Sequence, residues 1–407
     1  MMQLTRLCAT LATLLVAAAP MGASGEETVD RWISEALTNN ATLGSLQSTV
    51  EAARAGADGS GLWADPVVKY GIAPGTLEGP NMVGHRFEIS QALPWPDQLS
   101  AAREAADANT KAASQDRLWQ QRTLVASVKE VYVGWWYSGR AIELHHENRD
   151  LVMQLADITR QQLDYGKATQ SDLLRIQTEL DSLDAQLVAL EADRAKRSAS
   201  LIPLLGHPPE QTQVTLTLST LNPQLSVDEN HPLVLAAEAR LARARARLAE
   251  AEADRRPSFT ASAGYNSLWA DESKRWVVGI GVQVPLSGQR QSSAAREATA
   301  QIANHRWQAL QTRRDLEASV AESSAAITAA QSQLDILNTR HLPNQKAHWE
   351  ATLNELASGT GRLEDAIASA RQLTQVELKK ASIKRDLYSA RARYEALVVP
   401  QIRQTGE

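Results

Sequence analysis

A tandem duplication constrains this 407-residue chain more than any single motif does. The stretch VGHRFEISQALP, beginning at Val83, reads as a strand ending in proline, and a proline-free run from Asp97 to Ile202 follows it. That run pauses once, at Tyr165-Gly166-Lys167. A second stretch, WVVGIGVQVP from Trp276, opens another long helical run, which pauses at Ser358-Gly359-Thr360-Gly361. Leu93-Pro94 and Val284-Pro285 lie 191 residues apart, whereas Gly166 and Gly359, like Asp172 and Asp365, lie 193 apart. A near-constant offset over such a distance marks a duplication, and a repeat has to be read before anything else. The expected division is a leader over 1–24, a first repeat over 25–209, a linker over 210–229 and a second repeat over 230–407.

Each repeat is expected to run from helix to strand pair to helical hairpin. In the first, helices are expected over Glu27–Thr38 and Ala41–Trp63, with Asn40 as N-cap and Asp65-Pro66 as the stop. The strand pair covers about 66–93, and the hairpin 97–203. In the second, a helix runs from Asn230-His231-Pro232 to Arg256, the strand pair covers about 257–284, and the hairpin 287–399. Trp276, Val278, Ile280, Val282 and Val284 alternate with Val277, Gly279, Gly281 and Gln283, so one face is fully apolar. In the first repeat His85, Phe87, Ile89, Gln91 and Leu93 share a face. Such strands match the ~9–11 residues of a tilted barrel strand in a bilayer. They equally match a half-buried sheet on a soluble core, and alternation alone does not decide.

Composition narrows the choice. A net charge of −5 gives no general pull toward nucleic acid. Beyond the leader no apolar run reaches 18 residues, so no transmembrane helix is expected. Any membrane-spanning part would have to be a closed β-barrel, because lipid satisfies no other sheet's backbone. Arg6, the apolar run Leu7–Ala19 and the small residues around Met21-Gly22-Ala23 read as an export signal cleaved near Ala23 or Ser24. Cys8, the sole cysteine, would leave with it, so no disulfide is expected.

The helical runs say more. Asp97–Leu163 reads as one helix, roughly 100 Å long at ~1.5 Å per residue. In the return arm Leu173, Ile176, Leu180, Leu183, Leu187 and Leu190 alternate spacings of three and four, a coiled-coil seam. Arg175, Glu179, Asp181, Asp184 and Glu191 read as the solvated side. The second repeat makes a weaker seam from Leu363, Ile367, Ala370 and Leu373. Helices this long cannot bury themselves in one chain, and side-by-side assembly is expected.

No catalytic constellation is visible: there is no nucleophile motif, no G-x-x-x-x-G-K-S/T phosphate loop and no H-E-x-x-H. Neither an enzyme nor a bound cofactor or metal is expected. His145 and His146 point about 100° apart on a helix, and His341 and His348 flank Pro343 two turns apart. Arg240, Arg243, Arg245 and Arg247 precede Glu250, Glu252 and Asp254, which reads as a solvated helix with internal pairs rather than a nucleic-acid contact. Within Trp135-Trp136-Tyr137, Trp135 falls on one stripe with Val128 and Tyr132, so packing rather than a ligand platform is expected.

Taken together, several features resemble the TolC-like outer-membrane factor family of Gram-negative efflux proteins. They are the duplication, a strand pair in each copy, Pro94 and Pro285 directly after the second strands, and glycine-marked turns followed six residues on by Asp172 and Asp365. The resemblance covers essentially the whole chain beyond the leader. It implies a mainly α fold with a β-barrel part. Tandem-duplicated long helical hairpins would form an α-barrel, and two strands per repeat would contribute to a trimeric, 12-stranded outer-membrane β-barrel. Closure agrees, since about eight strands leave an interior filled with side chains and twelve is the next multiple of four.

The implied function is a passive duct of a tripartite efflux or type I secretion system. It would export small molecules or metal ions together with a periplasmic adaptor and an inner-membrane pump. The short chain resembles compact members found with heavy-metal pumps. The alternative is a periplasmic adaptor (membrane-fusion) protein, but adaptors carry one hairpin between the halves of a β-domain, not two hairpins each with its own strand pair. A coiled-coil scaffold would leave the strands unexplained.

The resemblance also assigns sites. The turns at Tyr165, Gly166 and Lys167 and at Gly359, Thr360 and Gly361 would form the periplasmic entrance that docks the adaptor. Asp172, Arg362, Glu364 and Asp365 lie just inward, where threefold rings of carboxylate would make a cation-selecting constriction. The same carboxylates fall near helix starts and would complement the helix dipole, so ring and cap both stay open. Phe87, Ile89, Trp276, Val278, Ile280 and Val282 would face lipid.

Overall fold

The computed structural model describes residues 29–73, 83–207, 216, 228–269, 271–286 and 288–398. The expected leader lies outside these residues, as does most of the expected linker.

Four strands form one antiparallel sheet in the order β1 (Val67–Ala73), β2 (Gly84–Leu93), β3 (Ser258–Asn266) and β4 (Trp276–Gln283). The pairing of β2 with β3 unites residues from both halves of the chain, with Phe87 opposite Tyr265 and Leu93 opposite Phe259. At this seam the Trp95 indole donates to the Pro257 carbonyl at 2.9 Å, and the Trp95 and Phe259 rings meet edge-on. Pro96 then takes the first helical position, where its missing N–H costs nothing.

The helices are α1 (Val29–Asn39), α2 (Ala41–Gly59), α3 (Pro96–Asp164), α4 (Gln170–Leu205), α5 (Pro232–Ala253), α6 (Gly288–Ile336), α7 (Leu342–Ser358) and α8 (Leu363–Val398). At 69 residues, α3 is the continuous, roughly 100 Å rod that the sequence suggests. It is flanked by α2 and α5 near the sheet and by α4 and α8 farther away. Asn40 caps α2 by accepting the Thr42 and Leu43 N–H groups. Three apolar clusters hold the bundle. One joins α5, α6 and α8 around Val320, Ile327 and Leu387. A second joins the far ends of α3, α4, α7 and α8 around Leu155, Ile176 and Ala366. The third seats Trp32 of α1 edge-on to Tyr132 of α3, with Val128 and Trp135 on the same stripe.

Four local expectations change. Helix α2 stops at Gly59, before the expected Trp63, because Gly61 takes a φ of +72°. A Cβ on Gly61 would fall 2.6 Å from the Leu99 carbonyl oxygen, so this turn is set by close approach to α3 rather than by Pro66. Helix α5 ends at Ala253, short of Arg256. The second long run is not uniform, since a π turn over Leu337–His341 precedes Pro343, whose ring removes an ordinary helical donor. Glu179 is buried, not solvated, because Arg371 of α8 covers it.

Candidate functional site

The strand register sorts the sheet's side chains by face. Residues directly opposite one another in an antiparallel pair project to the same side. Val68 stands opposite Ile89 and Tyr70 opposite Phe87. Ala263 stands opposite Val278, Ala261 opposite Ile280, and Phe259 opposite Val282. Phe87, Ile89, Trp276, Val278, Ile280 and Val282 therefore share one face, and all six are exposed, Val278 at 84% and Ile280 at 73%. The opposite face carries Lys69, Arg86, Glu88, Ser90, Thr260, Ser262 and the glycines of β4. Glu88 meets Arg86 at 2.9 Å and Lys69 at 3.9 Å there. The sheet is thus an exposed apolar surface backed by a polar one, the reverse of a soluble sandwich. Tyr265 and Trp276 lie at one end of the apolar face, and Phe259 with Trp95 at the other, as in aromatic girdles.

At the far end of the helices the two turns lie side by side. Gly166 reverses the chain with φ of +69°, and the Lys167 N–H returns to the Gln162 carbonyl at 2.8 Å. Gly359 caps α7 with φ of +80°, and the N–H groups of Thr360 and Gly361 both reach the Glu355 carbonyl. A Cβ on Gly361 would lie 2.8 Å from that of Glu355. The Lys167 side chain rests on Gly359, and the Gln162 amide donates to the Leu356 carbonyl, so each turn braces the other. Tyr165 is exposed at the tip.

The four constriction candidates separate in this geometry. Asp172 forms a capping box with Thr169: it accepts the Thr169 N–H at 2.9 Å and hydroxyl at 2.7 Å, and its own N–H returns to that hydroxyl. The Thr169 hydroxyl and backbone hold its carboxyl below the usual carboxylate range. Glu364 accepts from Arg175 of α4 and from Arg362, and Arg175 foremost keeps its pKa low. Asp365, in the first turn of α8, is exposed and makes no ion pair or hydrogen bond among the described residues. The tip is therefore neutralised at Glu364 and Asp172 is engaged with its own helix start, which leaves Asp365 as the free carboxylate of the set.

Arg175 and Arg371 were not legible as site residues. Both fell on the apparent solvated side of a coiled-coil seam or outside it, and only the packing of α4 against α8 reveals their acidic partners. The histidines stay apart: His145 is half-buried and its pKa is lowered by burial, and no group of three or more potential metal ligands occurs among the described residues. The arginine run of α5 does not pair within its own helix as expected. Arg240 meets Asp116 of α3 instead, and Arg243 donates to Asn109.

An exposed apolar sheet with a polar back, continued by paired helical hairpins ending in glycine turns, defines a membrane-embedded duct protein. The family model described as outer membrane efflux protein matches residues 32–207 and again 224–398. The chain belongs to that family, whose members are efflux channels of the Gram-negative outer membrane rather than enzymes or adaptors. Among solved structures it resembles CusC, described as forming a transmembrane channel, at 18% identity and a TM-score of 0.80, over 91% of this chain and 92% of that one. It resembles the outer membrane protein VceC of Vibrio cholerae at 16% identity and a TM-score of 0.79, over 91% and 95%. The open MtrE channel of Neisseria gonorrhoeae follows at 18% and 0.78, over 91% and 88%. A comparison of the sequence with curated proteins gave no significant match.

Proposed function

We propose that three copies of this chain close into one conduit. Two repeats, 25–209 and 230–407, would each supply a strand pair and a hairpin to it. One observation carries the proposal: the four-stranded sheet has one exposed apolar face and ends on two strands, β1 and β4, with no outer partner among the described residues. A sheet with open edges in lipid leaves backbone groups unpaired, and joining β4 of one copy to β1 of the next removes both edges. That contact is head-to-tail and closes into a ring. Phe87, Ile89, Trp276, Val278, Ile280 and Val282 then face lipid, and the Lys69, Arg86 and Glu88 face lines the lumen.

The hairpins continue the barrel as a tunnel through the periplasm. Their tips at Tyr165, Gly166, Lys167, Gly359, Thr360 and Gly361 dock a periplasmic adaptor, which couples the duct to an inner-membrane pump. Just inside, Asp365 forms the acidic ring of the entrance, with Glu364 neutralised by Arg175 and Arg362 and with Asp172 capping α4. Cargo passes as small molecules or metal ions. Purified protein in a planar lipid bilayer should open steady conducting channels. Absence of conductance, together with a wholly soluble protein on cell fractionation, would overturn the proposal.

A further inference from the structure

Arg240, Arg243 and Arg247 recur at spacings of three and four, so they share one face of α5. That face borders a cavity of about 660 Å³ reached also by Ala52 of α2, Asp116 of α3 and His305 of α6. Helix α2 packs on α3, α3 on α5, and α5 on α6. The hollow touches all four of these neighbouring helices, and we take its open side as the concave side of their layer. In the proposed conduit that side is the lumen, and the present inference rests on that proposal.

The charge inside the hollow is unbalanced. Arg240 is engaged by Asp116, the only carboxylate lining the cavity among the described residues. Arg243 donates to the neutral Asn109 amide oxygen at 2.9 Å. Arg247 has no ion pair or hydrogen bond among the described residues. Burial, with Arg247 adding to it, lowers the pKa of Arg243, as expected for a guanidinium lacking an acidic partner. Around these heads the wall is small and apolar, with Ala53, Ala112, Ala113 and Ala244. The volume lies within the ~300–1,000 Å³ of small-molecule sites.

The duplication shows that the helix layer does not need these arginines. At the strand offset of 191, Thr49, Ala52 and Gly56 of α2 occupy the matching positions in the first copy. The basic trio belongs to the second copy alone, and it converges on a hollow rather than pairing along its own helix.

We propose that this cavity binds organic anions as they pass. A carboxylate, sulfonate or phosphate head is held by Arg243 and Arg247, and the apolar body lies on the alanine wall. Guanidinium forks suit such heads because they offer two parallel donors. The duct thus carries a stop for anionic cargo between the acidic entrance and the barrel.

The test uses the full-length protein purified in detergent, with fluorescence anisotropy of fluorescein as anionic probe and rhodamine 6G as cationic probe. Wild type should bind fluorescein at least about tenfold more tightly than rhodamine 6G, and added salt should weaken it. The double variant Arg243→Gln/Arg247→Gln should lose about tenfold or more in fluorescein affinity, consistent with charged hydrogen bonds being removed. Arg245→Gln, outside the cavity lining, should lose nothing. If the double variant fails to assemble, Arg247→Gln alone, at an exposed position, should still lose about threefold. Equal affinity for the two dyes, or unchanged fluorescein binding in the assembled variants, overturns the site. Conductance of the same samples separates the two proposals: a conducting channel without dye preference refutes the site alone, and a non-conducting one refutes the duct.

Discussion

Arg371 of α8 grips Glu179 of α4 with two hydrogen bonds, the Nε contact at 2.6 Å, and so ties the hairpin of the second copy to that of the first. The pair is lopsided: the Glu179 side chain is 7% exposed and that of Arg371 is 55%. The cost of breaking it falls on the carboxylate, which would be left buried without a partner. Arg175 to Glu364 makes a second cross-copy tie nearer the tip, so the hairpin ends are held by charge as well as by apolar packing.

Removing Arg371 should therefore destabilise the hairpin ends by about 1–3 kcal/mol, the usual penalty for a stranded buried polar group. Thermal unfolding of Arg371→Ala should show a lower midpoint. The double change Glu179→Met/Arg371→Met should recover most of it, because an apolar pair of similar size carries no desolvation cost. An Arg371→Ala midpoint equal to wild type would mean that Glu179 finds water or another partner.

The register of the sheet predicts a contrast between neighbours. Ile280→Arg places a charge on the apolar face, at a cost of ~2–4 kcal/mol near the bilayer midplane, and should impair insertion. Gly281→Arg points to the polar face beside Thr260, where the nearest atoms are 3.8 Å from the new Cβ, and should insert normally. Equal insertion of the two variants, judged by membrane extraction, would place the faces the other way round.

Gly359→Val forces a β-branched residue to a φ of +80°, a strain of roughly 1–2 kcal/mol. The expected outcome is lost export with assembled protein still in the outer membrane, because the change is confined to the tip. Normal export would separate this turn from adaptor docking.

Much of this was legible in the sequence because it depends on short-range rules. The proline-terminated strands, the continuous α3 rod, the Asn40 cap and the positive-φ turns at Gly166 and Gly359 follow from local spacing and residue type. What stayed hidden depends on which helix lies beside which. Glu179 looked solvated because the seam residues of α4 account for α3 only, and a second neighbour, α8, covers the other side. The arginines of α5 looked self-paired because Asp116 and Asn109 are more than a hundred residues away in the chain. The π turn at Leu337–His341 has Pro343 as its only sequence sign, which a helical-run reading passes over.

Protonation gives a prediction at His231, which is fully buried and whose Nδ1 accepts the Leu233 N–H at 3.2 Å to cap α5. Burial foremost, with the nearby Arg122 guanidinium, lowers its pKa from 6.5 to about 4. The unfolded chain therefore takes up the proton first, so the stabilisation is complete above pH 6.5 and is lost as pH falls toward 4. The loss amounts to at most about 3 kcal/mol. His231→Asn keeps a capping acceptor without the titration, so its unfolding midpoint should fall less than that of wild type between pH 7 and 4.5. Parallel curves would assign the acid sensitivity elsewhere.

At the entrance, Asp365→Ala should reduce cation selectivity and block by multivalent cations in single-channel recordings. Asp172→Ala should do less to selectivity, since Asp172 is engaged in its capping box with Thr169. Loss of that box should instead cost about 0.5–2 kcal/mol of stability. Unchanged selectivity in the double variant would move the constriction away from both carboxylates.

The number of chains in the assembly can be counted directly, by native mass spectrometry of the protein extracted from outer membranes in detergent. Three copies would supply twelve strands able to close around an open lumen, so a single species of three chains, collapsing to one on boiling, is predicted. A monomer in the soluble periplasmic fraction, or a two-chain species whose eight strands would leave no conduit, would contradict it.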